Sequence, residues 1–166
     1  MSLTISLDEL FGYTEGERAK WERWFGSQTG AALAAPVQRE GRFLTVWQLV
    51  DHIFLVEKRH TERLLNQSPL TEQSGVPEQD RAAMFAFGRA VRERLKAAVR
   101  SMSDAEAATV RDFLVQGKNY PLSPRKLAFH ILLHEVRHWA QIATAVRNAG
   151  FAPPGEHDLF FSDALQ

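Results

Sequence analysis

The sequence predicts an all-α fold, and within that class a four-helix bundle, on three observations. Four long segments carry apolar residues at helical spacing. No segment shows convincing β-alternation, and there is no internal repeat or glycine-rich phosphate loop. The last segment, residues 123–150, is bounded like a helix at both ends. Ser123 can cap the first free amides, Pro124 sits where its missing N–H costs nothing, and Gly150 supplies a stop. Its roughly 25 residues would span about 37 Å.

Composition sets the bounds. A chain of 166 residues is read as one domain, residues 1–166, with a docked C-terminal tail. With 45% hydrophobic residues and no apolar run of 18 or more, it reads as globular, with no membrane partner. Lys+Arg and Asp+Glu balance at 20 each, which counts against a nucleic-acid binder. The absence of cysteine removes disulfides, cysteine-type zinc sites and thiol nucleophiles, leaving histidine and carboxylates as metal ligands. It fits the cytoplasm, as does an N-terminus without the basic and apolar regions of a signal peptide.

The first helix is expected over residues 6–28, with Ser6 and Glu9 as a capping pair and Leu7, Leu10, Phe11, Trp21, Trp24 and Phe25 on its apolar face. Gly12 and Gly16 weaken its middle and favour a late start or a bend. Residues 30–42 read as a connection. The second helix, residues 45–66, buries Val46, Leu49, Ile53, Val56, His60 and Leu64. Residues 66–80 are dense in Pro, Gly and Ser and read as a long loop. The third helix, residues 80–102, carries Phe85, Val91, Leu95 and Val99, while Arg92, Arg94, Lys96 and Arg100 look like a solvated face. Residues 103–116 open on Ser103 and Glu106 and suggest a short helix, after which GKNYPLSP leads into the last one. The tail cannot be helical through Pro153 and Pro154. Its Leu159, Phe160 and Phe161 are expected to dock on the bundle or on a second subunit, and His157 reads as a surface residue. The tryptophans and phenylalanines stand at ordinary core spacing.

The chemistry lies in the histidines. His130, His134 and His138 are spaced by four, but the outer two are about 12 Å apart along the axis, too far to share one ion at bonds near 2 Å. His134 and His138 flank the apolar line through Leu127, Ile131, Ile142 and Ala145, whereas His130 falls toward Lys126 and Arg137. The pair chosen is therefore His134 and His138. The same length separates His52 from His60, so only one of them can join; periodicity does not say which. HEVRH, residues 134–138, also fits the HExxH pattern of zinc peptidases, in which the Glu activates water. That mechanism needs a third ligand, and only Glu156, His157 and Asp158 follow nearby, in a tail without a helix to hold them. Glu135 lies partly toward the core side, where it would orient a ligand imidazole or serve the substrate. Arg137 points outward and receives no role.

The segment VWQLVDHIFLVEKRH, the segment LLHEVRHWAQIATAVRNAG and the tail FAPPGEHDLFF together resemble the DinB/YfiT-like superfamily of metal-binding helical bundles over nearly the whole chain. The resemblance implies a four-helix bundle with a long crossover between helices two and three, often a homodimer. It places His52, His134 and His138 on the family's metal ligands, with water completing the shell, and leaves His60 as packing or a neighbour of the ligands. Zinc is the first expectation for the ion; nickel, iron and manganese also suit three imidazoles and water. Some members resemble transferases that use low-molecular-weight thiols. The expected function is thus a metal-dependent enzyme of transferase or hydrolase type acting on a small molecule. The alternatives are a non-enzymatic metal-binding sensor or structural protein, and an HExxH metallopeptidase.

Overall fold

The computed structural model describes residues 4–38, 40 and 42–164. Its elements in chain order are α1 (Leu7–Ser27), α2 (Gly30–Leu33), α3 (Val46–Leu64), α4 (Arg81–Arg100), α5 (Asp104–Ala108), β1 (Arg111–Val115), β2 (Lys118–Leu122) and α6 (Pro124–Asn148), with a 3₁₀ turn at Leu159–Phe161. The four long helices α1, α3, α4 and α6 are the four read from periodicity. Each begins on a side chain that accepts a free backbone N–H. Ser6 and Glu9 satisfy each other's amides at α1, Thr45 accepts from Gln48 N at α3, Asp80 from Ala83 N at α4, and Ser123 from Lys126 N at α6. α6 ends before Gly150, whose φ of +88° a Cβ would resist. α1 runs unbroken through Gly12 and Gly16 from Leu7, so the late start or bend expected there does not occur.

Pairwise contacts fix the helix directions. Asp8, Glu15 and Glu22 of α1 meet Arg100, Lys96 and Arg89 of α4, so these two helices are antiparallel. Phe54 and Glu57 of α3 meet Phe85 and Arg92 of α4 in the same order, so these two are parallel. Trp139 meets Phe54 and His130 meets His60, so α6 runs against α3. The order is up, down, down, up. Two parallel neighbours in succession require the chain to return along the bundle between them. Residues 65–80 do this, held by the guanidinium of Arg59 on the carbonyl of Thr71 (2.7 Å) and by the Glu62 carboxylate on the Thr71 amide (2.9 Å).

The core has two apolar ends and a charged middle. One end gathers Trp21, Phe25, Trp47, Ile53, Phe54, Phe85 and Trp139; the other gathers Leu10, Phe11, Leu64, Leu95, Leu127, Ile131 and Leu132. Between them Arg18, Glu57, Arg92 and Glu135 are all buried and bonded to one another. Arg92 therefore does not lie on a solvated face: its Nε donates to Glu57 (2.7 Å) and its Nη2 to Glu135 (2.5 Å).

Three further expectations need correction. Residues 103–116 are a one-turn helix followed by a strand, and β1 pairs antiparallel with β2 across a Gln116–Gly117 turn with both φ values positive, 51° and 76°. Only Phe113 of β1 is buried, and none of β2, so the alternation that announces a strand is missing. Within the connection 30–42, Gly30–Leu33 is helical and Pro36 bridges Thr45; residues 39 and 41 lie outside the described ones. The tail lies along α1 through its backbone, with Trp24 Nε1 donating to Ala152 O (2.7 Å), Lys20 Nζ to Glu156 O (2.8 Å) and Tyr13 OH to His157 O (2.7 Å). Of the tail's apolar side chains Phe160 is 89% exposed, and Leu159 and Phe161 are exposed to a lesser degree, Phe161 beside Lys20 and Trp24 of α1. His157 is not a plain surface residue either, since its ring stacks on Trp21 and its Nδ1 lies 2.7 Å from Glu17. Among the described residues no helix is long and apolar enough to cross a membrane.

Candidate metal centre

α3 and α6 are antiparallel neighbours, and the histidines of both point into the groove between them. The ring of His52 lies 5.1 Å from that of His134 and 5.0 Å from that of His138, centre to centre, and the α6 pair is 4.3 Å apart. Each offers one nitrogen, and the three nitrogens lie within 4.8 Å of one another. An ion bound at 2.0–2.1 Å wants neighbouring ligand atoms about 3–3.4 Å apart, so ring rotations on the order of 1 Å complete the shell. Nε2 of His134 and Nε2 of His138 are already 3.0 Å apart, a separation at which two imidazoles share either a proton or an ion.

The protonation states suit a ligand role. Nδ1 of His138 is 2.6 Å from the side-chain oxygen of Gln141, which can only accept; the ring proton is thus on Nδ1 and the Nε2 lone pair faces the cluster. Burial, then the neighbouring His138, Arg42, Arg59 and Arg137, pushes His52 down to about 3. Burial, then His138, His52, Arg137 and His130, pushes His134 down to about 2. His138 is lowered chiefly by burial, with the Gln141 hydrogen bond acting the other way. Three neutral imidazoles converging on one point are a donor set that fits a divalent transition metal.

His60 and His130 do not join the three converging nitrogens, although the ring of His130 is 5.8 Å from that of His134. The rings of His60 and His130 are 5.6 Å from each other, one turn and more toward the β1–β2 hairpin, and burial followed by Arg63, His130 and Arg59 pushes His60 down to about 3. The groove that joins the two groups has a volume of about 370 Å³. Phe43, whose ring is 4.2 Å from that of His52, and Val56 form apolar wall; Val115 and Gln116 close the far end; Arg42, Arg59, Arg63 and Arg137 supply the charge.

Glu135 is not at the centre. It is fully buried on the other side of α6, accepting from Arg18 Nε (2.6 Å), Arg18 Nη2 (2.8 Å), Arg92 Nη2 (2.5 Å) and Trp139 Nε1 (2.9 Å). Burial alone would raise its pKa, but the guanidiniums of Arg18 and Arg92 hold it below the ordinary value. None of these bonds goes to an imidazole, so it neither orients a ligand ring nor meets a substrate, and the water-activating Glu of the HExxH peptidase pattern is missing. His157, engaged with Glu17 on α1, is likewise no third ligand for such a site. Sequence reasoning missed Gln141 and the arginines of the groove. Gln141 stands three residues after His138, and Arg59 and Arg63 share the helical face of His52; those spacings were the available signals.

The fold is shared with solved proteins. YfiT from Bacillus subtilis, described as a probable metal-dependent hydrolase with an unusual four-helix bundle topology, superposes with a TM-score of 0.68 at 20% identity, over 92% of this chain and 94% of that one. A DinB-like protein from the same organism, YjoA, superposes with a TM-score of 0.63 at 13% identity, over 90% and 97%. No protein of curated function matches the chain. The model of the DinB family matches residues 1–164. A bundle of this topology, matched to that model over almost its whole length, belongs to the DinB family.

Proposed function

We propose that the protein is a metal-dependent enzyme in which His52, His134 and His138 hold one divalent ion, zinc by first preference. Its reaction on this reading is transfer from an electrophilic small molecule to a nucleophile, either water (hydrolysis) or a low-molecular-weight thiol. One observation carries the reading: three neutral imidazoles from two helices distant in sequence offer nitrogens within 4.8 Å of one another at the head of an open groove. When bound, such an ion acts as a Lewis acid and lowers the pKa of a water or thiol in its open position.

The chain's own residues do the rest. Gln141 keeps the ligand tautomer of His138, and Phe43 covers one side of His52 so that solvent reaches the centre from the groove. Among the described residues no fourth protein ligand joins the three, which supports an open catalytic site over a closed structural one. The description of YfiT as a probable metal-dependent hydrolase supports the same class.

Elemental analysis of protein purified without affinity metals tests this. About one ion per folded chain is expected, with loss in His52→Ala and in His134→Ala. A screen of activated electrophiles with and without small thiols should then give turnover that a chelator abolishes. Native protein without metal, or variants that retain it, would overturn the reading.

A further inference from the structure

The groove is cationic along its whole length, and its arginines differ from Arg18, Arg89, Arg92 and Arg100, which are matched by carboxylates. Arg18 and Arg92 are matched in the core by Glu57 and Glu135, and on the surface Arg89 and Arg100 meet Glu22 and Asp8. No ion pair among the described residues joins Arg42, Arg59, Arg63 or Arg137 to a carboxylate, and no Asp or Glu lines the groove. Arg59 donates to the backbone carbonyls of Thr71 (2.7 Å) and Glu72, and Arg63 donates through Nε to the carbonyl of Leu114 in β1 (2.8 Å). Neutral carbonyls orient a guanidinium without cancelling its charge. Glu62, the carboxylate that acts on Arg63, is taken by Lys58 Nζ (2.7 Å) and by Thr71.

Placing two fixed positive charges one turn apart on α3 and burying both of them in part is unfavourable unless an anion visits. Burial and the charge of Arg59 lower the pKa of Arg63, which is the signature of that conflict. Arg63 is eleven residues from His52, about 16 Å along the helix. The groove therefore has two poles, a histidine pole and an arginine pole, in a volume of about 370 Å³. Such a volume falls at the small-molecule end of ligand pockets, roughly 300–1,000 Å³.

We propose that the groove takes an elongated small molecule bearing an oxyanion, carboxylate or phosphate, with that group held by Arg59 and Arg63 and the reacting end directed to His52, His134 and His138. Only the second half rests on the enzymatic reading above. The free nitrogens are available for this: Nη1 of Arg59 and Nη2 of Arg63 have no partner among the bonds described, and guanidinium is the side chain whose fork matches an oxyanion. Arg137, with Nη2 3.4 Å from Nε2 of His138, adds positive charge at the reacting end.

Calorimetric titration of the full chain at constant ionic strength tests the arginine pole, with succinate and inorganic phosphate as probes and in the presence and absence of zinc. Binding of at least one anion is expected in the millimolar range, weakened at least tenfold in Arg63→Gln and in Arg59→Gln. Arg63→Lys should restore part of it, and Arg100→Gln should leave it unchanged. Melting curves show that each variant is folded, and zinc content should stay at the native level in all of them. Succinate bound over phosphate, or the reverse, assigns the class of the anionic group. If neither anion binds, or if both arginine variants bind as the native protein does, the proposal is overturned. Failure of the metal reading appears separately, as missing zinc in native protein whose anion binding still depends on Arg59 and Arg63.

Discussion

Glu135 shows how one residue position decides a chemical role. It follows a histidine that points into the groove, and at 100° per residue it must face elsewhere. Elsewhere is the middle of the bundle, where two guanidiniums, from Arg18 and Arg92, close on its carboxylate. Buried ion pairs of this kind add little over apolar packing, but removing one partner leaves an uncompensated charge and costs about 3–5 kcal/mol. Glu135→Gln keeps the shape and removes the charge from two arginines at once. Chemical denaturation should show a loss in that range, while metal content per folded chain stays at the native value. Intact stability together with lost turnover would mean that Glu135 works on the metal side after all. The sequence did not disclose this residue's partners. Arg92 sits among Arg89, Arg94, Lys96 and Arg100, and a helical wheel counts all of them as polar; its carboxylates come from α3 and α6, 35 and 43 residues away.

The parallel pair α3 and α4 depends on one glycine. A Cβ on Gly88 would meet three ring atoms of Phe54 at 2.9 Å, and the carbonyl of Gly88 accepts from Arg18 Nη1 (2.9 Å). The ring cannot retreat, since it is fully buried against Phe85 and Trp139. Gly88→Ala would gain about 1 kcal/mol in helix propensity and lose about 1–3 kcal/mol to overpacking. The expected result in a melting experiment is a net loss, which reverses the usual effect of this substitution in a helix. At this scale much was legible. All four long helices, and the caps Ser6 and Ser123 of the first and last, follow from spacing and side-chain chemistry, because caps are local and an amphipathic face repeats. The β1–β2 hairpin was not legible. Its pairing buries only Phe113, and the turn uses Gln116 at positive φ where asparagine or aspartate would have announced it. His134 and His138 share a face of one helix and could be paired from sequence. His52 required knowledge of which helix lies opposite, which periodicity does not contain and family resemblance supplied.

For the whole molecule, the groove joins two helices that the chain brings together only after the crossover, so an ion held there is also a clamp between α3 and α6. Its dependence on pH follows from the histidines. An unfolded chain protonates its imidazoles as pH falls through about 6.5. The folded protein holds His52 and His60 down near 3 and His134 near 2, for the most part by burial. Between those limits the unfolded state binds more protons, so stability is fully present above about 6.5 and is lost as pH falls toward the folded values. Metal-free protein should therefore melt at progressively lower temperature from pH 7 to pH 5, above the range where carboxylates titrate. His52→Gln and His134→Gln should flatten that slope. The metal itself should behave differently. Three histidines at an ordinary pKa would each be protonated about 30-fold over at pH 5, and zinc affinity would fall by orders of magnitude. His52 and His134, kept neutral by their surroundings, present no such competition in the folded state, and the lowered pKa of His138 reduces its share. Zinc affinity, measured by competition with a chromophoric chelator corrected for its own protonation, should change less than tenfold between pH 7 and pH 5. A steep loss across that interval would mean that the imidazoles titrate freely and that burial in the groove does not prepare them to bind.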